Sequence, residues 1–243
     1  MKPAPSSLVS PTDAAGAIRA ADFDGSASVA AFVGTPESGS LTLAAWVYLD
    51  ALPANGAARM IVYADDEGSG NRRFQFRVNR DSGTYGDSDG HLEFIAFVGG
   101  GAEHITDANP FPIGEWVHVA VTAVSGGAVK LYVNGAVVAT DTIPGAIDRP
   151  GAFYKIGNGA GSGAWDGGIC DVAEWSDALS GGNVALVYKL GPLFVSPSTI
   201  VFFANLTGRE SAIVPDFIGK LEGTATNLTE RVGPVLCWPN RGI

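Results

Sequence analysis

A chain of 243 residues, 46% of them hydrophobic, is long enough to bury a sizeable core and too apolar to stay disordered. Its formal net charge of −10 repels phosphate backbones, which argues against a nucleic-acid partner, and no apolar run reaches the roughly 18 residues that a membrane-crossing helix needs. The 33 glycines follow no three-residue period, which excludes collagen and fits short strands joined by tight turns.

In chain order, residues 1–17 are rich in Pro, Ser and Ala and read as an arm or linker. They hold no apolar stretch resembling a secretion signal. Strands are predicted at 18–23 and 29–33. In Leu41–Leu49 the aliphatic Leu41, Leu43, Val47 and Leu49 share one face while Trp46 and Tyr48 share the other, so both faces are expected to be covered. After a strand at 60–63, residues 73–78 alternate apolar and polar, and 91–98 reads as their hairpin partner. Strands at 116–122 and 129–133 follow, and Asn134-Gly135 predicts a two-residue turn into 136–140, because such a turn needs positive φ at both positions. Further strands are expected at 154–156, 169–175 and 200–204. One segment reads as helix: Ser180 caps a turn through Val184, Leu186, Val187 and Leu190, ended by Gly191-Pro192. The pattern is that of an all-β sandwich with one short helix near 180–190.

Four stretches carry a family resemblance. Ala21-Asp22-Phe23-Asp24-Gly25, then 41–47 ending near Trp46, then 112–120 with Leu131-Tyr132-Val133-Asn134-Gly135, then 167–172 leading to Trp175 and Ala178-Leu179-Ser180, together resemble the laminin G-like jelly roll of the concanavalin A-like superfamily. The resemblance implies a jelly-roll β-sandwich of two antiparallel sheets. The segment 200–205, with Asp216, Gly219 and 221–224, resembles the piece that usually precedes the first block, here placed last. A single domain over 18–243 is therefore expected, with 198–225 returning a C-terminal strand to the sandwich, as in a circular permutation.

Glycosidases on such sandwiches need two carboxylates flanking the sugar bond. Glu93, Glu115 and Glu174 each stand alone on their strands, and no nucleophile elbow, phosphate loop or zinc helix occurs, so catalysis is not expected. His118 reads as a packed strand residue. Calcium is the expected cofactor, since loop oxygens suit it; the resemblance points to Asp24 with the Gly25 carbonyl, Asp171 and Asp216. Cys170 departs from the pattern, standing where the family commonly has an acid. Asp65-Asp66-Glu67 and Asp87-Ser88-Asp89-Gly90 are further oxygen clusters, with acidic hairpin turns as the plainer reading. For sugar binding the candidates are Tyr85, with Asp87 and Asp89 beside it, and Trp165 in the glycine-rich loop 157–168, although packing on the sheet is the alternative for Trp165. Cys170 and Cys237 read as free thiols, with a single bridge as the alternative. The expected function is a non-catalytic structural or binding protein, first a phage virion surface component, self-associated and partnered by capsid or tail proteins. The alternative is a carbohydrate-binding lectin-like module for host or glycan attachment. The expected location is a particle surface or, without a leader, the extracellular space.

Overall fold

The computed structural model describes residues 19–34, 39–54, 56–65, 72–80, 90–148, 153–159, 163–208, 213–218 and 221–234. The arm at 1–17, the acids Asp66, Glu67, Asp87 and Asp89, Tyr85 and Cys237 lie outside the described residues. The strands are β1 (Arg19–Asp24), β2 (Val29–Val33), β3 (Leu41–Leu49), β4 (Ala57–Asp65), β5 (Arg72–Arg80), β6 (His91–Val98), β7 (Gly101–Pro110), β8 (Trp116–Ala123), β9 (Ala128–Val133), β10 (Ala136–Thr142), β11 (Phe153–Ile156), β12 (Asp166–Trp175), β13 (Ile200–Ala204), β14 (Ile213–Pro215), β15 (Glu222–Thr226) and β16 (Thr229–Val232), with a helix α1 (Gly181–Leu190) between β12 and β13. They form two antiparallel sheets. One runs β10-β9-β8-β3-β12-β1-β16 and the other β14-β15-β2-β11-β4-β5-β6-β7.

The core lies between the sheets. Leu41, Leu43, Val47 and Leu49 of β3 face Phe74, Phe76, Phe94 and Tyr154 of the other sheet across one buried cluster. The opposite face of β3 is covered as well. Val184 and Val187 of α1 pack with Tyr132, Trp175 and Phe203 on the outer side, and Trp46 packs with Cys170 and Tyr188. Period-two alternation in β3 therefore divides two kinds of apolar side chain rather than apolar from polar. Leu186 and Leu190 of the helix, by contrast, stay exposed. Ser180 Oγ accepts a hydrogen bond from Asn183 N at 3.2 Å, closing the helix start.

The Asn134-Gly135 turn has φ of +49° and +79°, and Ala136 pairs directly with Val133. His118 is buried edge-on to Trp46, with ring centroids 5.3 Å apart.

The C-terminal tail enters both sheets. On β12, residues 166–169 pair with β1 while Val172–Trp175 pair with β13, so β1 and β13 lie end to end along one side of the same strand. Between the two stretches β12 bulges: Cys170 lies opposite Trp46 and Ala173 opposite Ala44, which leaves one extra residue, and Asp171 takes a positive φ of 50°. A second bulge in β5 leaves Arg73 as the extra residue between Arg72 and Phe74. The two bulges turn Arg73 and Glu174 toward each other across the sandwich. Their 2.7 Å ion pair is fully buried. Burial and the Glu174 charge together push the phenol of neighbouring Tyr154 well above its ordinary range. Further along the tail, β15 pairs with β2 and β16 with β1.

Cys170 corrects the free-thiol expectation, since it is disulfide-bonded. The only other cysteine in the chain is Cys237. A fully buried outer-face cysteine in an apolar cluster reads from sequence like a small hydrophobe, which is why the free thiol is the first reading and the bridge its alternative.

Candidate functional site

At one end of the sandwich the β1–β2 turn meets the glycine-rich loop between β11 and β12. Asp24 builds the turn. Its Oδ1 accepts hydrogen bonds from the backbone N–H groups of Ser26, Ala27 and Ser28 at 2.9 to 3.0 Å. Desolvation pushes the Asp24 carboxyl up, but those three donors and the Ser28 hydroxyl outweigh it and hold the group well below the usual carboxylate range. The loop is pinned from several sides. Trp165 N donates to Gly157 O at 2.7 Å, Gly25 N to Trp165 O at 2.9 Å, and Met60 N to Gly163 O at 2.7 Å. Gly157 has to be glycine: its φ is +79°, and a Cβ there would stand 2.0 Å from the Phe23 ring.

Between turn and loop lies an open, polar cleft of roughly 500 Å³, lined by Gly25, Ser26, Arg59, Asn158, Gly159, Gly163 and Ala164. Arg59 reaches in from β4. Its Nη1 donates to Gly25 O at 3.2 Å and to Ala164 O at 2.7 Å, and its Nη2 lies 3.6 Å from Asp166 Oδ2. Asp166 is the register partner of Asp24 across β1 and β12. Asn158 turns its Oδ1 onto Gly159 N at 2.8 Å. Tyr63 lies under Gly159, and burial together with a hydrogen bond to Asp65 pushes its phenol up to about 12.

Of the four residues proposed for calcium, the structure brings Asp24 and Gly25 to this cleft and leaves the other two elsewhere. Asp171 sits in the β12 bulge, five residues along the strand from Asp24's partner Asp166, a separation of roughly 16 Å at strand rise. Asp216 is engaged as a backbone acceptor: Oδ1 takes Phe203 N and Ile218 N at 2.9 and 3.0 Å. Calcium ligands must converge within about 2.3–2.6 Å of one point, so these four do not form one coordination shell. At the cleft itself the Gly25 carbonyl already meets a cation, the Arg59 guanidinium. The residues do not fit the ion. Among the described residues no group of three or more His, Cys, Asp or Glu side chains is placed to hold a metal.

Trp165 is fully buried, with Nε1 donating to Tyr48 O at 3.1 Å, so it offers no ring face to a sugar. Its large indole fills the core end of the loop that the sequence marks as glycine-rich. Arg59, Ser26 and Asn158 carry no motif. The legible hints were that glycine-rich loop and the Asp24-Gly25 turn facing it.

A family model of the laminin G type, described as the concanavalin A-like lectin/glucanases superfamily, matches residues 22–185, more than half of the chain. The chain belongs to the concanavalin A-like lectin/glucanases superfamily. Solved structures of similar fold include a candidate carbohydrate-binding protein from Bacteroides ovatus, with 22% identity and a TM-score of 0.65 over 89% of this chain and 60% of that one. A native heptameric SAP-like pentraxin from Limulus polyphemus shares 16% identity at a TM-score of 0.60, over 91% of this chain and 97% of that one. Domain 4 of an extracellular arabinanase from Geobacillus stearothermophilus, solved with arabinotriose, shares 19% identity at 0.53, over 68% and 74% of the two chains. This superfamily member thus spans 60% of the length of the Bacteroides protein. No curated protein matches.

Proposed function

We propose that the chain is a non-catalytic carbohydrate-binding module that takes sugar in the rim cleft. The observation that carries the reading is the cleft itself: open, polar and edged by glycines, at the loop end of a sandwich from a lectin superfamily. Hydroxyl-rich ligands need donors and acceptors at close approach. Ser26 and Asn158 supply them, and the glycine positions leave backbone groups unshielded. Glycoside hydrolysis needs a carboxyl that keeps its proton near neutral pH, and the turn amides pull Asp24 the other way. The Bacteroides and Geobacillus structures, named for carbohydrate binding and for an arabinotriose complex, support the sugar reading. The relatives described above lend no support to a virion role. A disulfide at Cys170 favours maturation in an oxidising compartment, as for an extracellular lectin.

A glycan array followed by calorimetry tests the reading. Asn158→Ala, which removes roughly one good hydrogen-bonding contact, and Ser26→Tyr, which fills the cleft, are each expected to weaken binding at least about tenfold, with unchanged melting. Sugar binding untouched by both would place the site elsewhere.

A further inference from the structure

We infer that the rim cleft selects neutral, polyhydroxylated sugars and turns away counterparts that carry carboxylate or sulfate groups; this rests on the sugar-binding reading above. The strongest capture of an acidic sugar comes from a guanidinium or ammonium whose donors are free to face it, because that contact is charge-assisted and commonly bidentate. Among the described residues lining the cleft the only cation is Arg59, and its donors point into the protein. Nη1 serves two backbone carbonyls, those of Gly25 and Ala164, and Nη2 faces Asp166. Only 19% of the side chain is exposed. Turning this guanidinium toward a ligand would strip both carbonyls of their donor and unpin the turn from the loop.

The surrounding charge points the same way. Asp24 and Asp166 stand opposite each other beside the cleft. The three amides at the turn keep Asp24 ionised. Two carboxylates against one engaged guanidinium leave a surplus negative charge at the site, on a chain whose net charge is already −10. A like charge some 6 Å away in a partly solvated site weakens binding by about tenfold or more. What the cleft presents instead is a hydroxyl, a carboxamide and backbone groups, which recognise sugar hydroxyls without needing an ion.

Calorimetry on matched pairs tests this: neutral oligosaccharides such as arabinotriose against uronate- or sulfate-bearing oligosaccharides of equal length, at low and at high salt. The neutral member is expected to bind at least about tenfold tighter at low salt, and the gap to narrow as salt screens the repulsion. Asp166→Asn is expected to narrow the gap at low salt by strengthening the acidic member while leaving the neutral one within about twofold. Equal or tighter binding of the acidic member overturns the inference while leaving the sugar-binding reading intact. A gap that neither salt nor Asp166→Asn moves overturns it too, since charge would not be its cause. Binding of neither class removes the sugar-binding reading itself, and this inference with it.

Discussion

The tail lends two strands to the same sheet, and opposite forces hold them. β13 is almost wholly buried. Phe202 stands edge-on to Phe32 at 4.9 Å and packs tilted against Tyr154 at 4.6 Å, Phe203 packs beneath α1, and Asp216 caps its amide. β16 has no buried residue. It is held by Arg19–Glu230 at 2.8 Å, by Arg231 bridging Asp22 and Asp50, and by the Arg231 guanidinium lying 4.4 Å over the Tyr48 ring. A fully buried aromatic contributes about 1.5–3 kcal/mol, whereas a solvated ion pair contributes about 0–1 kcal/mol. One tail therefore has a part that the core cannot do without and a part that is fastened to its surface.

Three measurements would break or sharpen that contrast. Phe202→Ala should cost about 3–5 kcal/mol in urea unfolding, the range for deleting a buried aromatic ring; a loss below about 1 kcal/mol would mean β13 is not core. Arg231→Ala should cost about 1 kcal/mol at low salt and less at high salt. A cost equal to that of Phe202→Ala and insensitive to salt would erase the distinction. The smallest effect concerns two neighbouring carboxylates of β1. Burial raises the Asp22 carboxyl, more than Arg231 lowers it, and Asp50 and Asp166 raise it further. A raised acid contributes stability below its ordinary value near 4 and loses it as pH rises through the raised one. Asp24 is depressed, so its contribution is present above about 4 and fades as pH falls. Melting temperatures between about pH 3 and 6 should therefore show opposite trends. The advantage of the wild type over Asp22→Asn should shrink with rising pH, and its advantage over Asp24→Asn should grow.

The same contrast explains what could be read from the sequence. β3, the β8–β9–β10 run and the Ser180 cap were legible because burial, turn chemistry and capping act within a few residues. β7 escaped because only Ile105 and Asp107 of its ten residues are buried, among Gly, Ala and Asn that disfavour strands. β16 escaped for the same reason: Thr229-Glu230-Arg231-Val232 shows no apolar face because it has none. The Arg73–Glu174 pair depends on two bulges and joins residues 101 apart, a separation at which no local pattern operates. At the site, the Asp24-Gly25 turn was visible, but as a metal site. Its partner Arg59 comes from another strand, and that pairing decides which cation the turn accepts.

The family match ends at residue 185, yet the half of the seat beside β12 along Val172–Trp175 is filled only beyond it. Cutting the chain there would open the middle of a sheet rather than trim its border. Val172–Trp175 would lose their neighbour, and Phe32 and Tyr154 would lose the ring packed against them. Exposed strand edges recruit other strands. A version shortened to the family boundary should accordingly be prone to associate, and the smallest soluble unit should reach through β16.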